Sequence, residues 1–74
     1  MQTNVITDPA NLVQGAWYLC GFEDLPETEW SGMPIYKYKG DGCWSDDDGE
    51  PVDRLWDAEL QLYVGINHGA YIKC

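Results

Sequence analysis

The apolar residues of this chain come in short runs, each cut by glycine, proline or aspartate before a helix of several turns could complete. Short runs rich in aromatic and β-branched residues, bounded by turn formers, specify strands and hairpins. Ala16 to Phe22 is apolar on both faces and reads as a strand covered on both sides. From Met33 to Lys39, Tyr36 and Tyr38 point one way while Lys37 and Lys39 point the other. Pro34 places the start of that strand at a sheet edge or at its first position. Gly40-Asp41-Gly42 offers a turn with positive φ available, so 33–45 reads as a hairpin that returns through Cys43-Trp44-Ser45. Leu60, Leu62, Val64 and Ile66 share one face of a further strand. Asn67-His68-Gly69 then fits a three-residue hairpin loop, with Gly69 left-handed, before the returning strand Ala70 to Cys74.

The remaining segments are weaker. Asp8 as cap, Pro9 at the first helical position and Gly15 as terminator bracket a helical turn or two, and residues 1–7 before it are expected to fray. Glu23 to Gly32 is a polar loop with acids around Trp30, and Asp46 to Pro51 an exposed acidic loop. Val52, Leu55 and Trp56 have helical spacing, yet 52–59 is short enough to be an irregular connector. The expectation is a mostly β chain with a minor α part. It is a small antiparallel sheet of four to five strands in hairpins with a short N-terminal helix, forming one acidic domain over 1–74.

Charge is the strongest functional signal. Thirteen Asp and Glu stand against four Lys and Arg, for a net charge of −9. Glu23 to Glu59 holds twelve of the acids and three of the bases (Lys37, Lys39, Arg54), so half the chain carries the whole net charge. Like charges so close repel and oppose compaction, so the bland reading is that they only keep a small protein dispersed. The functional reading is a negative face for a basic partner. Direct binding to nucleic acid is disfavoured, because phosphate attraction needs a stripe of Lys and Arg that is missing here. A carboxylate array can instead occupy the basic groove in which another protein holds DNA or RNA.

Catalytic and metal chemistry find little support. Asp46-Asp47-Asp48-Gly49-Glu50 is oxygen-rich, but aligning it with a calcium-binding EF-hand puts Trp44 and Leu55 at ligand positions. Cys20, Cys43, Cys74 and His68 lack the paired spacing of structural zinc sites. Cys20 with His68 is a formal nucleophile pair, yet an apolar strand raises a thiol's pKa and makes it inert. No cofactor, metal or enzymatic activity is expected. Three cysteines and a start, Met1-Gln2-Thr3-Asn4, without basic or apolar leader character point to the cytoplasm, and no apolar run is long enough to span a membrane.

The aromatics divide between core and interface. At 74 residues, folding buries only about 60% of the unfolded surface, so a chain this small needs most of its aromatics inside. Trp17 and Tyr18 are expected in the core, with Trp56 leaning the same way. Trp30 and Trp44, each beside acids, are candidate anchors of the kind interfaces use.

In size and charge the chain is similar to small phage- or plasmid-encoded inhibitors of host defence, such as anti-CRISPR and anti-restriction proteins. That resemblance implies a protein–protein inhibitor acting by nucleic-acid mimicry or steric block. The partner surface is expected to use Glu27, Glu29, Asp41, Asp46, Asp47, Asp48, Glu50 and Asp53 against Lys and Arg, with Trp30 or Trp44 as anchor. The alternative is a small β domain that binds carbohydrate or calcium through exposed Trp and Asp side chains.

Overall fold

Seven short strands and three 3-10 turns make up the computed structural model, which describes residues 5–74, with Glu27 described by its backbone alone. The strands are β1 (Trp17–Gly21), β2 (Ile35–Gly40), β3 (Cys43–Ser45), β4 (Pro51–Val52), β5 (Arg54–Asp57), β6 (Leu62–Gly65) and β7 (Ala70–Lys73). Five form an antiparallel sheet in the order β4-β3-β2-β1-β7, and β5-β6 form a separate two-stranded sheet. The fold is therefore mostly β, as the turn-punctuated pattern implies. The N-terminal helix is one 3-10 turn, Pro9–Asn11, whose first free amide, Ala10 N–H, donates to Asp8 Oδ1 at 3.0 Å. No helix among the described residues is long and apolar enough to cross a membrane.

The core lies on one face of the large sheet, and strand periodicity decides which residues reach it. Tyr18 and Cys20 of β1, Tyr38 of β2, Trp44 of β3 and Tyr71 of β7 are all buried on that face. Lys37 and Lys39 take the opposite face, as alternation requires. Leu55 of β5 and Ile66 join the core cluster, fixing the small hairpin to the sheet. Trp44, 2% exposed, sits at the centre. Its ring centroid lies 4.8 Å from that of Tyr38, 4.9 Å from Tyr71 and 6.0 Å from Tyr18. Such pairs contribute about 0.5–1.5 kcal/mol each beyond area burial. The indole N–H donates to Asn67 Oδ1 at 3.0 Å, and Asn67 Nδ2 donates to the Gly42 carbonyl at 2.9 Å. The polar edge of the largest core ring is thereby satisfied and clamps the β2–β3 turn.

That turn is Asp41-Gly42, with φ of 53° and 75°, the doubly positive geometry whose twist matches a tight hairpin. The β1–β7 half departs from the local pattern. Ile66, Asn67 and His68 form a 3-10 turn rather than a hairpin loop, and β7 leaves β6 to pair with β1. Gly69 is not left-handed, with φ at −98°. It is glycine because its α-carbon packs against the Gly21 carbonyl oxygen, where a Cβ would collide. The Tyr71 hydroxyl donates to the Ile66 carbonyl and holds the crossover.

Several burial expectations are corrected by the same periodicity. Trp17 is partly exposed on the back of the sheet because its neighbour Tyr18 takes the core side. Trp56 is 49% exposed because Leu55 takes the inner side of β5. Leu60 is exposed because it lies in the turn before β6, and Leu62, the first residue of that strand, is exposed as well. Of the segment 1–7, residues 1–4 lie outside the described residues. Ile6 exchanges two backbone hydrogen bonds with Tyr71, at 2.7 and 2.9 Å.

Candidate partner-binding surface

Both expected anchors are interior. Trp44 is the core ring described above, and Trp30 is 7% exposed, so neither offers a ring to a partner. Trp30 lies in the 3-10 turn Glu27–Gly32, where its indole N–H donates to the Leu25 carbonyl at 3.1 Å and its ring covers Gly21. Its neighbours Thr28, Glu29 and Ser31 are exposed, and the side chain of Glu27 lies outside the described residues.

The expected acids are spread over separate loops. Asp41 occupies the tip of the β2–β3 turn. Asp46 to Glu50 form the β3–β4 loop, at the other end of β3. Within it Asp46 is a scaffold: its Oδ1 accepts the amides of Asp48 and Glu50, both at 2.9 Å. Gly49, with φ of 83°, completes the turn. Asp47, Asp48 and Glu50 are left exposed around that frame. The carboxylates of Asp46, Asp47 and Asp48 lie within 4.8 Å of one another, but this exposed group holds no further feature of a cation site. Asp53 is exposed beside Arg54, at 3.5 Å, the one side-chain ion pair among the described residues.

Glu29 belongs to a different feature. A cleft of about 820 Å³ opens between the 24–33 segment and the β5–β6 turn. Phe22, Leu25, Met33 and Trp56 supply apolar lining, and Asp24, Glu29, Asp57 and Glu59 supply four carboxylates. Among the described residues no Lys, Arg or His lines it. Both walls are built by local hydrogen bonding. On one side Trp30 is pinned as described. On the other, Asp57 Oδ1 accepts the amides of Glu59 and Leu60 at 3.0 and 3.1 Å, and Gln61 closes the turn with φ of 57°.

Beside the cleft, Trp56 and Tyr63 stand opposite each other across β5 and β6, with ring centroids 5.1 Å apart at 65°. The Arg54 guanidinium lies 5.6 Å from the Tyr63 centroid. Asp24, Trp56, Asp57 and Glu59 are not among the residues that sequence reasoning selected. Reading 54–57 with a strand's period of two separates Leu55 from Trp56 and exposes the tryptophan. The helical spacing of Val52, Leu55 and Trp56 hid that.

The thiols differ in character. Cys20 is buried, and burial pushes its pKa up to about 12, while Cys43 and Cys74 are exposed. Compared with protein families, curated proteins and solved structures, the chain matches none.

Proposed function

We propose that this chain is a binding protein that occupies a basic surface on a larger protein, one of the kind that holds nucleic acid, and blocks it. The observation that supports the reading is uncompensated surface charge. The chain carries a net charge of −9, and the described residues form a single side-chain ion pair, Asp53 with Arg54. The exposed acids sit on short loops framed by backbone hydrogen bonds, so they would meet a partner without large ordering cost. Attraction of this kind acts mainly on association rate and is weakened by salt. Similarity in size and charge to phage-type inhibitors such as anti-CRISPR and anti-restriction proteins extends the proposal to counter-defence in a host cell's cytoplasm, by nucleic-acid mimicry or steric block.

The test begins with capture of partners from lysate at low salt, followed by association kinetics on the captured protein. Nucleic acid added in excess should compete, and on-rates should fall as salt rises. Asp47→Asn, Asp48→Asn and Glu50→Gln combined should slow association while leaving the fold intact, because Asp46, which frames the loop, is spared. Capture indifferent to nucleic acid, or on-rates indifferent to both salt and the triple substitution, overturns the reading.

A ligand-binding reading rests on a separate observation, the exposed Trp56 beside carboxylates. A tryptophan fluorescence response to neutral glycans or to calcium would favour it.

A further inference from the structure

We infer that the cleft between the 24–33 segment and the β5–β6 turn receives an arginine-bearing segment of the partner, with the guanidinium against Trp56 and within reach of the surrounding carboxylates. This rests on the basic-partner reading and names where that partner is gripped.

Charge complementarity selects the occupant. Among the described residues four carboxylates and no cation line the cleft, which disfavours phosphates and acidic peptides and gives a neutral ligand no advantage from the charge. The lining also includes the apolar Phe22, Leu25 and Met33 alongside the acids, which suits a side chain with an aliphatic stem and a charged head. Arginine meets both conditions better than lysine. Its planar guanidinium is weakly hydrated, stacks on aromatic faces and donates in a fork to carboxylates. The hairpin already shows this chemistry once, in Arg54 over Tyr63, the direct cross-strand neighbour of Trp56. Trp56 is 49% exposed, so beyond its edge-on pair with Tyr63 much of the ring is left open to a partner. Asp57 serves as the frame of the turn, leaving Asp24, Glu29 and Glu59 as the carboxylates free to turn toward a ligand.

The test uses the intact chain and two capped hexapeptides, one with two arginines among leucines and one with citrulline in place of each arginine. Binding is followed by heteronuclear NMR and by calorimetry at low salt. The arginine peptide should shift the Trp56 indole N–H and the amides of Ala58 and Glu59, while the citrulline peptide binds about tenfold more weakly or less. Trp56→Ala, and independently Glu59→Gln, should each weaken the arginine peptide by several fold. Val13→Ser, at an exposed position outside the cleft lining, should leave it unchanged. Equal binding of both peptides, shifts confined to other loops, or a neutral oligosaccharide giving the stronger response in the cleft would overturn the assignment. The two proposals fail separately. If the captured partner still binds Trp56→Ala and Glu59→Gln as it binds the parent chain, the cleft is not the grip although the basic-surface reading stands. If no nucleic-acid-competed partner is captured, that broader reading falls whatever the peptides do.

Discussion

The indole of Trp30 rests on the bare backbone of Gly21: a Cβ at position 21 would sit 2.7 Å from Cζ3 and 2.9 Å from Cη2 of that ring. The contact ties the end of β1 to one wall of the cleft. Gly21→Ala must displace the ring or the strand, and overpacking of this sort costs about 1–3 kcal/mol. Urea unfolding should show a lower midpoint with little change in slope. An unchanged midpoint would mean that Trp30 has room to move, and that the wall is less fixed than its contacts suggest.

The tryptophans should sort by stability cost, not by the acids beside them. Trp44→Ala removes the central ring and should cost about 3–5 kcal/mol, enough to unfold a small domain outright. Trp44→Phe keeps an aromatic ring but strands Asn67 Oδ1, at a cost of about 1–3 kcal/mol. Trp56→Ala loses the edge-on pair with Tyr63 but little buried area, and should cost only about 0.5–1.5 kcal/mol. Thermal unfolding of the three variants checks the order, and a large loss at Trp56 would place that ring in the core after all.

Asp46 and Asp47 are neighbours with different work. Asp46→Ala leaves the Asp48 and Glu50 amides without their acceptor and should destabilise by about 1 kcal/mol. Asp46→Asn retains an oxygen acceptor and should recover most of that. Asp47→Ala should be nearly neutral by the same denaturation assay. Equal effects at 46 and 47 would remove the scaffold role.

Stability should decline in alkali. Burial pushes the Cys20 thiol from 9.0 to about 12, and the Tyr71 phenol from 10.0 to about 12. Both groups are neutral when protonated, so above pH 9 the folded chain holds protons that the unfolded chain releases. The stabilisation is complete below the unfolded values and is lost as pH rises from about 9 toward 12. Unfolding midpoints measured from pH 7 to 11 should fall above pH 9, with Cys20→Ala reducing the early part of the slope. A thiol reagent at pH 8 should meanwhile modify Cys43 and Cys74 quickly and Cys20 only on unfolding.

Local chemistry made part of this fold legible. Tyr36/Tyr38 against Lys37/Lys39 set a strand's two faces, and Asp41-Gly42 closed its hairpin. Asp8 and Pro9 marked a helical turn that goes no further than one 3-10 turn. The sequence was silent where partners are distant. Nothing near Gly69 says that its α-carbon will meet Gly21, so the loop before β7 resembles an ordinary hairpin while the chain crosses to β1. The cleft was hidden for the same reason, since Asp24 and Glu59 come to line one cleft only through tertiary packing. Acids beside Trp44 and Trp56 said little about either ring, because along a strand adjacent residues face opposite sides.

The pairing of β1 with β7 also bears on how the molecule is assembled. Tyr18 finds Lys73 about 55 residues further along the chain, so this is a slow, non-local closure. Apart from the Ile6–Tyr71 bridge, which belongs to the same closure, every other strand pairing forms between elements near in sequence. Until β7 arrives, β1 presents an open and largely apolar edge, the kind of surface on which a second copy can add its own strand. Whether nascent molecules fold or clump is therefore a race between one late ring closure and bimolecular encounter, and dilution should favour the fold.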